Sequence, residues 1–474
     1  MSKITAVVLL VVYGLILFVL SYILNKKDKS FKSFMVANRK VGVLVASFSI
    51  AATWIWAPAL FVSAQKAFQQ GLVGFGWFFI PNVLCLIFFG IASSKIRKKF
   101  PEGFTLPEVM RTKYGDKVHS LYLTQFSILQ LCSFAVQLLA GASIIGWITG
   151  IPFFTLTLLL SAIALSYSVV AGLRASVITD FIQMSFILLV AIIAVPWVIH
   201  NAGGFSRVVD GFGGLSGKAD KFFSKEGIEI MLTFGLINTI GLIAGPFGDQ
   251  MFWQRTFAID AKKIKKSFLF GGIIFGIVPL LFAALGFIGA SDNIQGIDPQ
   301  LINIVVIQKY LPAGIVPLVV ILIISGLVST LDSVLCAVSS LVSIDFGNRI
   351  KGSPFTGLKI PRISMVAFTI IAVAIANING LKILHLFLFY GTLRAATLIP
   401  TLITIFGKPL YNKAVFVGLL LSLVIGLPVF VIGKLIGSWQ IALAGNLMTV
   451  SISGLVAYFW SKKYTKPHYK KVNK

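Results

Sequence analysis

Charged residues are scarce in this chain of 474 residues, and acidic ones are the scarcest. Asp and Glu number 15 against 41 Lys and Arg, and all charged residues make up only 12%. The three cysteines, Cys85, Cys132 and Cys336, lie in apolar segments without metal or redox spacing, which favours packing thiols. The sequence has no GxxxxGK[ST], no HExxH and no supported Ser-His-Asp arrangement. These absences argue against a soluble globular protein, an ATP-driven pump and an enzyme.

Long hydrophobic runs are abundant. Hydrophobic residues make up 57% of the chain, and runs of about 20 of them, enough to cross a hydrocarbon core of roughly 30 Å, recur along its length. The pattern predicts an all-α polytopic membrane protein, with the first run kept as a helix rather than cleaved as a signal peptide. We predict thirteen spans, at about 4–24, 41–65, 72–95, 117–147, 152–170, 175–199, 227–256, 267–290, 312–342, 360–378, 382–407, 412–435 and 438–461.

The basic residues predict an orientation. The net charge of +26 would suggest nucleic acid in a soluble protein, but here Lys and Arg cluster in short loops between apolar runs. These loops fall on one side if every span crosses, and the long Gly-rich loop at about 201–226 falls on the other. The positive-inside rule then places the N-terminus outside and the tail in the cytoplasm. We therefore expect a multi-pass plasma-membrane protein that binds the lipid bilayer and no nucleic acid.

Two halves of similar length can be traced, in spans two to six and seven to eleven. Five is an odd number, so the second half would be inverted relative to the first, as in many transporters. The first span of each half carries helix-breaking residues: Pro58 in the first, and Gly241, Gly245, Pro246 and Gly248 in the second. Gly and Pro are common in membrane helices generally, but their matching positions favour two broken helices.

Residues 326–345, "GLVSTLDSVLCAVSSLVSID", carry six hydroxyls and two carboxylates inside an apolar region. Ser329, Ser333, Cys336 and Ser340 recur at spacings that put them on one helix face. One interpretation is helix packing, because Ser and Thr bond their own i−4 carbonyl and small residues allow close approach. The alternative is a Na⁺ site built from the hydroxyls of Ser329 and Thr330, with carbonyls near Gly326 and in span two.

The same stretch resembles the eighth core helix of the sodium:solute symporter family. The strings "FMVANRKVG", "FTLPEVMRTKYG", "AGLRASVITDFIQ", "GDQMFWQRTFA" and "LFLFYGTLRAA" are similar to that family's segments and occur in its order. The resemblance implies a LeuT-type 5+5 inverted repeat with broken first helices, and symport driven by Na⁺ as the coupling ion. It also implies a set of sodium ligands, namely Ala51, Trp54, Gly326, Ser329 and Thr330.

The resemblance further implies a substrate pocket between the two breaks. "WIWAPALFVSAQKAFQQG" is similar to the corresponding stretch of urea-type members. The absence of a Glu near Gly76, where sugar members carry one, argues against a sugar. Arg394, deep in span eleven, needs a partner, and Asp249, Asp332 or an anionic substrate could supply it. The predicted substrate residues are Thr53, Trp56, Gln137, Asn238 and Asp249.

We therefore expect one transmembrane transporter domain over residues 1–474, with no obligatory protein partner. An extra helix and loop would occupy 1–40, the repeats 41–200 and 227–407, two further helices 412–461, and a basic tail 462–474. The predicted function is Na⁺-coupled uptake of a small-molecule substrate that is urea-like or amino-acid-like. The alternatives are a channel, for which repeated pore segments are lacking, and a non-transporting substrate sensor, for which no signalling domain is present.

Overall fold

The computed structural model describes residues 2–378, 380, 383–407 and 409–464, so most of the predicted basic tail lies outside the described residues. Within these ranges the chain is all-helical, and one isolated bridge between Val41 and Ile259 is the only β pairing. The α-helices are α1 Lys3–Lys27, α2 Phe31–Val36, α3 Val43–Trp54, α4 Ala57–Lys99, α5 Leu106–Tyr114, α6 Asp116–Thr149, α7 Phe153–Asn201, α8 Phe205–Asp210, α9 Lys225–Ile230, α10 Leu236–Phe247, α11 Gln250–Ala258, α12 Ile264–Ser291, α13 Ile302–Tyr310, α14 Val316–Ser340, α15 Gly347–Lys351, α16 Lys359–Ala376, α17 Ile383–Phe406, α18 Asn412–Leu421, α19 Leu427–Leu435 and α20 Trp439–Tyr464.

Short helical turns of other types connect several of these helices. Turns of 3₁₀ helix occupy Ala37–Arg39, Pro299–Leu301 and Ala313–Ile315. Three π-helical turns continue α9 into α10, α14 into α15, and α18 into α19. Because π-turns often mark functional positions in helices, it is relevant that two of them adjoin α10 and α14, which build the site described below.

Eleven helical stretches in the described part of the chain are long and apolar enough to cross a membrane. Two of them are too long to be one crossing. The helix α7 has 49 residues and would extend about 74 Å if straight, more than twice a hydrocarbon core of about 30 Å. It is interrupted at Gly172, and α4 is interrupted at Gln70 and Gly71. A count of thirteen crossings requires the segments before and after the interruption to cross separately, in α4 and in α7. This count stays a prediction.

Glycine is required at both interruptions. Gly71 and Gly172 have φ of +55° and +57°, a region that side chains with a Cβ rarely adopt. A Cβ at Gly71 would lie 2.2 Å from the Phe212 carbonyl oxygen, and one at Gly172 would lie 2.5 Å from that of Phe34. The long loop after α7 therefore packs directly on α4, where the Leu72 N–H donates to Phe212 O at 2.8 Å.

Two pairs of helices are broken in the same way. In α3–α4 and again in α10–α11, two extended or irregular residues separate one helix from the next. The broken helices that the sequence predicts near residue 58 and residues 241–248 are therefore present. The assignment of 41–200 and 227–407 as two five-helix repeats stays a prediction.

Candidate functional site

The first break lies between α3 and α4. Ile55 and Trp56 leave helical geometry, with ψ of 68° and 171°. Pro58 falls in the first turn of α4, where its missing N–H is harmless and its fixed φ suits a helix start. The proline therefore begins the second half of the broken helix instead of interrupting it from within.

The second break lies at Gly248 and Asp249. Gly248 follows α10, and Asp249 caps α11 by accepting the Met251 N–H at 3.1 Å. A Cβ at Gly248 would lie 3.0 Å from the Arg394 Cβ, so glycine lets α17 approach the break. The break thus places one buried carboxylate beside one buried guanidinium.

Hydroxyls of α14 meet the end of α3 beside the first break. Ser329 Oγ lies 3.2 Å from Ala52 O and 3.0 Å from Gly326 O. Thr330 Oγ1 lies 3.4 Å from Thr53 O and 3.3 Å from Gly326 O. All five residues are buried. Two hydroxyls and three carbonyls therefore converge without a carboxylate, which is a hard oxygen donor set suited to a small monovalent cation.

Gly326 allows this close approach. A Cβ there would lie 3.0 Å from Leu60 Cδ1 and 3.4 Å from the Ile55 carbonyl oxygen. Any larger side chain at position 326 would push α14 away from the break, and the hydroxyl-to-carbonyl distances would increase.

A small cavity lies between the first break and α10 and α17. Trp56, Asn238, Gly241, Tyr390 and Arg394 are among the residues that line it, and its volume is about 10 Å³, room for about one water. The Trp56 and Tyr390 rings pack edge to face with centroids 5.3 Å apart. The cavity therefore has aromatic walls and few polar groups.

Arg394 is paired with Asp249. Arg394 Nη2 donates to Asp249 Oδ2, while Asp249 Oδ1 accepts from Gln130 Nε2 at 3.1 Å. The Arg394 guanidinium also stacks over Tyr390, 3.9 Å from the ring centroid. Of the partners considered from the sequence, Asp249 is the one observed. Both oxygens of Asp249 already accept hydrogen bonds from the protein. Asp249 therefore positions Arg394.

The five predicted substrate residues are not all brought together. Trp56 and Asn238 line the cavity. Thr53 points elsewhere, because its Oγ1 donates to Ser49 O at 2.8 Å and lies 3.3 Å from Ser333 Oγ. Gln137 is buried on α6 but is not among the lining residues of this cavity in the described part of the chain.

Sequence reasoning missed Arg255 and Tyr390. Arg255 Nη2 donates to Asp180 Oδ2 and to Ser333 Oγ, both at 2.7 Å, and thereby connects α11, α7 and α14. Its position in the family-like string "GDQMFWQRTFA" was the available signal. Tyr390 lies in an apolar run where nothing in the sequence distinguishes it from a core residue. Its position beside the cavity becomes visible only from the packing of α17 against Trp56.

Comparison with known proteins agrees with this architecture. Residues 34–422 match the sodium:solute symporter family. The chain belongs to that family. A solved structure of a Na⁺-coupled sialic acid symporter, in a substrate-bound outward-open state, matches 95% of this chain and 97% of its own with a TM-score of 0.79 and 18% identity. The LeuT-type fold predicted from the sequence is confirmed.

Two curated relatives in this family are named as symporters, not as enzymes. The rice urea-proton symporter DUR3 is 23% identical, covering 89% of this chain and 65% of its own length. The Haemophilus influenzae sodium/pantothenate symporter is 24% identical, covering 95% and 94%. The chain thus spans just under two thirds of the urea-type relative.

On α3, the carbonyls that the family resemblance implies as ion ligands are not the carbonyls that the α14 hydroxyls contact. Gly326, Ser329 and Thr330 converge as expected, but the carbonyls that the two hydroxyls contact on α3 are those of Ala52 and Thr53. The Ala51 carbonyl accepts the Ile55 N–H at 2.8 Å. Ala51 and Trp54 therefore remain predicted ligands, with Ala52 and Thr53 beside them as candidates that the sequence did not indicate.

Proposed function

We propose that this chain is a secondary active symporter that couples inward Na⁺ movement to the uptake of a small polar solute, urea-like or amino-acid-like, by alternating access. The observation that carries the proposal is the shared break after α3. The last turn of α3, just before the break, contacts the hydroxyls of Ser329 and Thr330 through the carbonyls of Ala52 and Thr53. Trp56, three residues after Thr53, lines the cavity. An ion that orders the break would also fix Trp56, so ion binding and solute binding are thermodynamically linked.

The cargo ion would be held by oxygens alone. Hydroxyl and carbonyl oxygens of α14 and α3 supply the ligands, and the ion leaves with the solute when the cytoplasmic side opens.

The energetics are sufficient for accumulation. One Na⁺ moving inward through about 100 mV supplies about 2.3 kcal/mol, and a tenfold Na⁺ gradient adds about 1.4 kcal/mol. Together they support accumulation of a neutral solute on the order of 500-fold. The orientation that accompanies this function, with the N-terminus outside, rests on the distribution of basic loops.

The test is uptake by the purified protein in proteoliposomes. Radiolabelled urea, proline and glucose are offered under an inward Na⁺ gradient, under an inward proton gradient with K⁺ replacing Na⁺, and without either gradient. We expect Na⁺-driven uptake of urea or proline and none of glucose. Uptake that follows the proton gradient and ignores Na⁺ would overturn the Na⁺ assignment, and downhill flux independent of both gradients would overturn symport.

A further inference from the structure

Two of the residues that line the cavity each carry a side-chain polar atom without a hydrogen-bond partner among the described residues. The two atoms are Asn238 Oδ1 and Arg394 Nε. Asn238 and Arg394 are each 2% exposed, and both line the cavity beside Trp56. A buried polar atom without a partner is costly, so an unpaired acceptor and an unpaired donor at one cavity indicate groups that a ligand would pair.

The acceptor character of Asn238 is fixed by its other contact. Its Nδ2 donates to the Trp77 carbonyl oxygen at 3.0 Å. Rotating the amide by half a turn would set two oxygens against each other, so the nitrogen belongs on Trp77 and the oxygen is the free acceptor.

Arg394 can donate a hydrogen bond to a ligand although its positive charge is already neutralised by a carboxylate. Its Nη2 is bonded to Asp249 Oδ2, and its face lies on Tyr390. Because Asp249 neutralises the guanidinium, the remaining Nε–H is a directed donor in a pocket whose ion pair carries no net charge. Such a pocket gives little advantage to an anionic solute.

One donor and one acceptor match a carbonyl with an adjacent N–H. We propose, on the basis of the symport function above, that this cavity binds urea or a primary carboxamide, with Arg394 Nε donating to its carbonyl oxygen and Asn238 Oδ1 accepting from its amide nitrogen. A simple carboxylate would place an oxygen against Asn238 Oδ1, and a simple ammonium group would have no lone pair for Arg394. A zwitterionic amino acid would satisfy both atoms, but only with two groups joined through a tetrahedral carbon, not with one planar amide. The rings of Trp56 and Tyr390 suit a small planar solute.

The volume implies that the cavity opens to bind. Room for about one water is too little for a solute of four heavy atoms, so the described state is a contracted one for this ligand. At one wall of the cavity the backbones of α10 and α17 approach each other at Gly241 and Gly391. A Cβ on Gly241 would lie 3.3 Å from the Gly391 Cα. A substituent there would hold α10 and α17 apart.

The first experiment needs no substitution. Binding to the purified full-length protein is measured by scintillation proximity with radiolabelled urea. Competition uses acetamide and acetate, which have the same shape but differ in that acetate carries an oxygen in place of the amide nitrogen and one negative charge. We expect acetamide to compete and acetate to be at least about tenfold weaker. Acetate competing as well as acetamide, or no urea binding at all, would overturn the proposal.

The second experiment tests the two atoms. Asn238→Ala and Arg394→Lys should each weaken urea affinity about tenfold, since lysine keeps a charge for Asp249 but has no Nε–H at that point. Asn82→Ala is the matched control, because Asn82 is also buried, also donates Nδ2 to a carbonyl and also has an unpaired Oδ1, but it is not among the cavity's lining residues. Unchanged urea affinity in both cavity variants, with intact Na⁺-dependent thermal stabilisation, would refute the assignment.

These results separate the two proposals. Urea binding with the expected competition pattern but no Na⁺-driven uptake would refute symport and leave the amide site standing. Na⁺-driven uptake of another solute, with urea and acetamide failing to compete, would refute the amide site and leave symport standing.

Discussion

Arg255 Nη2 lies 2.7 Å from Asp180 Oδ2, and both side chains are buried. Ser49 completes the group, because its Oγ donates to the same Asp180 oxygen at 2.6 Å and accepts from Arg255 Nε at 2.9 Å. The three residues belong to α7, α11 and α3, so this one cluster ties both broken helices to the second part of α7. It lies next to the candidate ion site, since Arg255 also donates to Ser333 Oγ.

Removing one member of this pair should destabilise the fold more than removing both charges. Asp180→Asn leaves a buried guanidinium without its counter-charge, a loss typically worth about 3–5 kcal/mol. The double variant Asp180→Asn with Arg255→Gln should recover part of that loss. Thermal unfolding in detergent measures the effect. Arg174→Gln is the control on the same helix, because the Arg174 side chain is 24% exposed and its Nη1 lies 3.8 Å from Asp28 Oδ2, too far for a hydrogen bond. Equal or greater destabilisation in the double variant would contradict the expectation.

The candidate ion site predicts a change in Na⁺ dependence. Ser329→Ala and Thr330→Ala each remove one hydroxyl from an otherwise intact helix and should raise the Na⁺ concentration for half-maximal uptake by about tenfold. Ser339→Ala is the control, because Ser339 is a buried hydroxyl on the same helix that donates to Cys336 O at 2.7 Å, away from the break. If the two site variants lose only stability and keep the wild-type Na⁺ dependence, the hydroxyls serve packing alone.

Both breaks could be placed from the sequence because Gly and Pro limit the backbone locally. The stripe on α14 was also visible, since helical spacing alone sets which residues share a face. The carbonyls opposite that stripe could not be fixed, because each residue along α3 rotates by about 100° and a one-residue shift from Ala51 to Ala52 changes the partner. Arg394 likewise had two candidate carboxylates, and packing between distant helices selected Asp249.

The proposed orientation can be tested by labelling from one side. Lys218→Cys in the long loop and Tyr464→Cys after α20 are placed one at a time in a background with Cys85, Cys132 and Cys336 replaced; both positions are exposed. Because the basic loops and the tail should face the cytoplasm, an impermeant maleimide should label position 218 in intact cells and position 464 only after permeabilisation. Labelling of both positions in intact cells would contradict an odd number of membrane crossings between residues 218 and 464.

The cluster around Asp292 predicts an acid-dependent loss of stability. Asp292 lies just after α12 and accepts hydrogen bonds from Lys309 Nζ at 2.8 Å, Tyr310 Oη at 2.6 Å and Arg207 Nη2 at 2.5 Å. Burial acts to raise the pKa of Asp292, but these three donors outweigh it and hold the pKa below its ordinary value. The cluster therefore fixes α8 and α13 to the end of α12 through a charged carboxylate.

The sign of the pH effect follows from that lowered pKa. A carboxylate with a folded pKa below its unfolded value near 4 contributes stability that is complete above about pH 5 and is lost as the pH falls through the folded pKa. Asp292→Asn should therefore lower the unfolding temperature at pH 7, and the difference from wild type should shrink as the pH falls below about 4. Asp220→Asn, at an exposed carboxylate in the loop between α8 and α9, should show neither effect. Thermal unfolding at pH 7, 5, 4 and 3 measures both variants, and a gap between Asp292→Asn and wild type that stays constant down to pH 3 would show that the carboxylate charge is not what holds this cluster.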